Sequence, residues 1–347
     1  MRLPAMRSVL GALTVGTLTA AVSTSSFGQS AAEQFFRGKT INVYIGFAPG
    51  GSYDYFGRLL ARHYSKHVPG HPNVIAQSMP GAGSFKAANF LYSVAPKDGT
   101  AMGIVTQTIA LEEALGTKGV LYKSAEFNWI GRATAIVEVT LTWHTSKAKT
   151  IEDAKRYETP VASTGSGSPS EGYPKLLNGV AGTKFKIITG YTGSTGGMLA
   201  MERGEVDGAL TSWNTLRLTK QDWLKNKQIN LLVQYTLERE PDLADVPAIV
   251  ELGKTPLDKQ VLAFYASGAA VGRSFVAPPG IPAARVKVLR TAFDDMLKDP
   301  EFLGEIEKSK AEFKPLSGEK LQQLIVGTAS APKEVIERTK AYIQGGK

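Results

Sequence analysis

The chain has no cysteine among its 347 residues. Disulfides are therefore excluded, stability has to come from burial, and no thiol is present to carry a lipid anchor at a processed N-terminus. Beyond the N-terminal segment no apolar stretch is long enough to cross a bilayer. Lysine and arginine outnumber aspartate and glutamate, 40 to 31, yet they never form a run, so there is no tract for a nucleic acid. The basic excess reads either as a solvated surface or as a field that draws small anions toward a cleft. Charge alone does not separate the two.

The motifs of common enzymes are missing as well. "GKT" occurs at 38–40 and at 253–255, but Glu33 and Ala248 stand where a phosphate-binding loop needs its first glycine. There is no G-x-S-x-G nucleophile elbow. "GSGSPSEG" (165–172) starts like a dinucleotide turn, but Ser170 occupies the place of the third small residue. Of four histidines, His63 and His67 share one predicted helix and His71 follows its end. A metal site is conceivable there, but no H-E-x-x-H glutamate accompanies them, and a solvated helix end is the plainer reading. His144 stands alone. No catalytic residue, metal or cofactor is expected.

What is present begins with "MRLPAMR", two arginines and no acid, then the uncharged "SVLGALTVGTLTAAV" and the small residues of "SSFGQSAA". Residues 1–32 read as a cleavable export signal. The roughly 315 residues beyond it are enough for two lobes. They alternate short apolar runs with amphipathic ones, the pattern of an α/β protein. Strands are predicted at 40–47, 73–79 and 101–107, each feeding a small-residue or hydroxyl loop and then a helix. The β-rich run from Trp129 to His144 is long enough to pass from one lobe into another, and a second set of α/β units follows it. "GRSFVAPPGIP" (272–282) reads as a return strand, ahead of C-terminal amphipathic helices. The expected division is 33–136 for the first part of lobe 1, 137–272 for lobe 2, and 273–347 for the return and the tail helices, mainly on lobe 1.

Four glycine- and hydroxyl-rich loops stand at predicted strand ends: 48–54, 79–84, 163–172 and 191–197. Each presents backbone N–H groups at a helix start, where a carboxylate finds several donors. Tight turns alone also require glycine, but four loops at matching places favour a shared site. Thr106 and Gln107 end the third strand at the same edge, and Tyr53, Tyr191 and Trp213 are placed to flank a cleft. Asp54 is expected to hold its turn by accepting helix-start amides.

"FAPGGSYD" with "MPGAGS…AANFLY…PKDGT", "GTKFKIITGYTGSTGGMLAMERGEVDG" and "VAPPGIPAARVKVLRTAFDDMLKDPEF" resembles the periplasmic receptors of tripartite tricarboxylate transporters, the Bug or TctC-like family. The resemblance covers nearly all of the chain beyond the signal. It implies a two-lobed periplasmic-binding-protein fold (Venus flytrap, type II) with two crossover segments and no catalysis. It also implies a monomer in the periplasm that holds a small carboxylate between its lobes and passes it to a membrane permease. By the same resemblance Gly50, Gly51, Ser52, Tyr53 and Asp54 form the first ligand loop, and Pro80, Gly81, Ala82, Gly83 and Ser84 the second. The second-lobe loop carries Gly167 and Ser168 as many members do, but Glu171 stands where those members have histidine. A glutamate facing the cleft would repel a second carboxylate and favour an amine, amide or hydroxyl. Two rival readings are an exported α/β enzyme, with Asp54, Ser168 and Glu171 as its only starting points, and a ligand receptor for a sensor kinase.

Overall fold

The structure, a computed structural model, describes residue 31 and residues 33–344. The expected export signal lies outside the described residues but for Ala31. Four strands come first: β1 (Thr40–Ile45), β2 (Asn73–Ser78), β3 (Ala101–Ile104) and β4 (Asn128–Thr134). Then come β5 (Glu138–Trp143), β6 (Thr159–Ser163), β7 (Phe185–Thr189), β8 (Gly208–Ser212) and β9 (Ile229–Gln234). β10 (Arg273–Ala277) and β11 (Leu316–Ser317) return late in the chain. They form two mixed sheets, ordered β11-β4-β10-β3-β1-β2 and β7-β6-β8-β5-β9, each covered by helices. The chain is thus a two-lobed α/β protein.

The hydrophobic pattern explains the first sheet. "TINVYI" alternates half-buried and buried side chains, so Ile41, Val43 and Ile45 enter the core together. β1 pairs in parallel with β2 and β3, which brings their C-terminal ends to one edge. β10 runs antiparallel between β3 and β4, so its first residue, Arg273, arrives where the parallel strands finish. The second sheet repeats the device: β5 is antiparallel to β8, and Glu138, its first residue, sits opposite Ser212, the last of β8.

The β-rich run expected as one strand breaks into β4 and β5, one in each sheet, with residues 135–137 crossing between them. The return crossing passes alongside: the Ile136 N–H donates to the Ala269 carbonyl at 3.0 Å. Gly272 closes this crossing at φ +55°, and a Cβ there would lie 2.1 Å from the Thr134 carbonyl oxygen. Only glycine lets the two crossings approach so closely. The tail makes a third crossing. Helix Gly318–Ala329 packs on β4, whereas helix Lys333–Gln344 packs on helices Pro169–Ala181 and Pro256–Ala266 of the other lobe. Its buried Val335 and the Tyr342 hydroxyl, which donates to Asp258 Oδ1 at 3.0 Å, fasten it there.

Candidate functional site

The strand ends of the two sheets face each other across a cleft between the lobes. From the first lobe come Phe47, Gly51, Ser52, Tyr53 and Arg273. From the second come Glu138, Ser163, Thr164, Ser170, Tyr191, Ser194, Thr211, Ser212 and Thr215, with Pro169, Gly197 and Leu210 among the apolar walls. The lobes touch around it. The Ser212 hydroxyl donates to Ser52 Oγ at 3.2 Å, the Ala48 N–H to the Thr192 carbonyl at 3.3 Å, and the Thr108 hydroxyl to the Gly167 carbonyl at 2.8 Å. Gly167 lies against the Phe85 ring of the other lobe; a Cβ there would come within 1.9 Å of it.

Arg273 organises the centre, and it is 1% exposed. Its Nε donates to Ser52 Oγ at 2.8 Å, Nη1 to Gln107 Oε1 at 2.9 Å, and Nη2 to Glu138 Oε1 at 3.2 Å. The guanidinium lies over the Tyr53 ring at 3.7 Å, and that ring in turn stacks on Phe47. The Tyr53 hydroxyl accepts from the Gln107 N–H at 3.0 Å. Burial drives the Tyr53 hydroxyl pKa up, against the pull of Arg273, so the phenol stays protonated. Burial also raises the Glu138 carboxyl above its ordinary range, while Arg273 pulls it back down. Thr211 Oγ1 is buried on the cleft wall without a hydrogen-bond partner.

The residues singled out from sequence fall in several places. Gly51, Ser52, Tyr53 and Tyr191 line the cleft. Gly81, Ala82, Gly83 and Ser84 line a side opening with Phe47, Thr164 and Tyr191. Their backbone is strained: Ala82 and Ser84 take φ of 45° and 86°, which non-glycine residues rarely adopt. Ser84 Oγ accepts from the Thr106 N–H at 3.2 Å, so Thr106 braces that loop, and Gln107 reaches the site through Arg273. Gly50 and Asp54 line an outer groove. Asp54 holds the turn, but by reaching back to the Gly50 N–H at 3.1 Å; its other oxygen accepts from Arg58 Nε at 2.7 Å. Ser168 donates to the Gly165 carbonyl at 2.7 Å and contacts Ser170 at 2.9 Å; among the described residues no imidazole or carboxylate hydrogen-bonds to its hydroxyl.

Gly167 and Glu171 line a separate groove beside Glu112 and Lys175, and Glu171 pairs with Lys175 there rather than facing the cleft. Trp213 packs against the second-lobe core with its indole N–H buried and unpartnered. His63 and His67 lie 2.8 and 2.9 Å from Glu305 and Asp299, and no cluster of three metal-ligating side chains occurs among the described residues.

A family model for the tripartite tricarboxylate transporter family receptor, TctC, matches residues 57–340. The chain belongs to the TctC receptor family. The match starts three residues after Asp54, so the loop 48–54 precedes it. Solved structures agree on the fold. The periplasmic binding protein BugD is 20% identical with a TM-score of 0.68, covering 86% of this chain and 97% of BugD. MatC from Rhodopseudomonas palustris, with bound malate, is 21% identical with a TM-score of 0.68, over 86% and 99%. A further R. palustris protein, with adipate, is 19% identical with a TM-score of 0.67, over 87% and 97%. No curated protein matches the chain in sequence. Among the described residues of this TctC receptor no helix is long and apolar enough to cross a membrane.

Arg273, Glu138, Thr211 and Ser212 are the functional candidates that loop reading overlooked. The usable signal was a charge inside an apolar strand: the lone acid in "AIVEVTL" and the lone arginine opening "RSFVA".

Proposed function

We propose that this receptor captures a small carboxylate-bearing solute in the cleft between its lobes and delivers it to a membrane permease. In this reading the mature chain works as a monomer in the periplasm, freed from its export signal, and makes and breaks no bond. The observation that carries it is Arg273, a buried guanidinium on the cleft floor with hydroxyls facing it from the other lobe. A desolvated arginine is a strong carboxylate partner, and the hydroxyls of Ser52, Thr211 and Ser212 add neutral bonds. Gly51, Tyr53 and Tyr191 shape the pocket. Gly50, Asp54, Thr106, Gln107 and the strained loop 81–84 hold the first-lobe side in place, while Gly167 and Ser168 shape the second. The malate and adipate held by relatives of the same fold support the carboxylate class.

A thermal-shift panel of mono-, di- and tricarboxylates, amino acids, phosphate and sulfate tests this. A solute at about a hundred times its Kd stabilises by roughly 2.7 kcal/mol. The expected result is a clear shift from a carboxylate that is recovered unchanged. A shift from phosphate alone, or consumption of the solute, contradicts the reading.

A further inference from the structure

The charge balance of the cleft points to the kind of carboxylate. Among the lining residues Arg273 and Glu138 alone are charged, and they cancel. Here a fixed carboxylate stands beside the only cation and opposes any second negative charge on the solute.

The pair is also incompletely used. Its Nη2 to Oε1 distance of 3.2 Å is long for a charge-assisted bond. Three of the guanidinium's five N–H donors are bonded, and the second Glu138 oxygen has no partner among the described residues. Thr211, 1% exposed on the facing wall, has its Oγ1 unpartnered too. The opposite charges are adjacent, so a matching solute carries its own opposite charges adjacent, on one carbon. Its carboxylate then takes the free N–H groups of Arg273, and its ammonium takes the free oxygen of Glu138. The walls beyond are Phe47, Ala162, Pro169, Tyr191, Ala209 and Leu210, which leave no counter-charge for a charged side chain.

We propose that the cargo is a zwitterion of the α-amino-acid type with an uncharged side chain, read by the adjacent Arg273 and Glu138. This rests on the receptor reading above. The amine preference that the sequence tied to Glu171 therefore moves to Glu138, since Glu171 is engaged with Lys175 in another groove.

The test is isothermal titration of the purified protein with paired probes: alanine and propanoate, valine and 3-methylbutanoate, leucine and 4-methylpentanoate, phenylalanine and 3-phenylpropanoate, with adipate as the dicarboxylate. The expected result is at least one amino acid binding tenfold or more tighter than its desamino partner and than adipate. Glu138→Gln should erase that preference. If Glu138→Gln fails to fold, the wild-type pairs decide alone. Equal binding within every pair, tightest binding of adipate, or an amino-acid preference that survives Glu138→Gln overturns the proposal and leaves the receptor standing. Binding of no carboxylate, with or without an amine, removes the receptor reading and this inference together.

Discussion

Two carboxylates are buried where the lobes meet, and they are held in opposite ways. Glu138, on the cleft floor, faces a cation, Arg273, at 3.2 Å. Glu112, in the groove shared with Glu171 and Lys175, is held by two hydroxyls, Thr117 at 2.6 Å and Tyr265 at 3.0 Å. Burial pushes both pKa values up. In the groove the hydroxyls pull downward and the neighbouring Glu171 pushes upward; in the cleft a full positive charge opposes burial. A hydroxyl pair can bond a protonated acid as well as, more strongly, an ionised one, and needs no solute, so the groove can be purely structural. A buried ion pair is poor value for stability, because desolvating both charges offsets their attraction. Its place on a cleft floor therefore argues for recognition.

Breaking the cleft pair should have the largest effect. Arg273→Met leaves Glu138 buried without its cation and should cost about 3–5 kcal/mol at neutral pH. With the cation gone the Glu138 pKa rises further, so the deficit should shrink as the pH falls and the acid takes up a proton. Chemical denaturation at pH 5 and pH 8 reads this; an equal loss at both would mean that Glu138 is already neutral beside Arg273.

Weakening the groove should cost less. Tyr265→Phe removes one donor to Glu112 and should cost about 1.5–3 kcal/mol at pH 8, the scale of a hydrogen bond to a charged group. The smallest effect has the opposite sign. Glu112 has a folded pKa above its unfolded value, so its contribution is fully present below the ordinary carboxylate range and is lost as the pH rises through the folded value. Glu112→Gln keeps an acceptor for one hydroxyl, offers the other hydroxyl oxygen an amide N–H instead, and cannot ionise. It should match wild type in acid and exceed it at pH 8 by under about 1 kcal/mol. A loss at pH 8 would show that the ionised form is the favoured one.

The α/β alternation, the two-lobed fold and the loops at the strand ends were legible in the sequence because each rests on local patterning. "TINVYI" announces a half-buried strand by its alternation, and "APGGSYD" announces a helix start by its glycines. The cleft floor was not legible in the same way. Parallel strands bring their C-terminal ends to the site, and loop reading finds those ends. Antiparallel β5 and β10 bring their first residues instead, and that direction depends on pairing with β8 and β3, far away in sequence. Glu171 shows the converse. At the start of a loop-fed helix it was a candidate for the cleft whose direction stayed open, and helix Pro169–Ala181 turns it toward Lys175, one turn along.

The most direct measurement is a crystal structure of the protein with the tightest-binding carboxylate of the thermal-shift panel. The account predicts that solute between Arg273 and the Thr211–Ser212 wall, its carboxylate on the guanidinium and the Ser52–Ser212 contact closed over it. A solute in the Glu112–Lys175 groove, or one in the cleft that leaves Arg273 untouched, would contradict it.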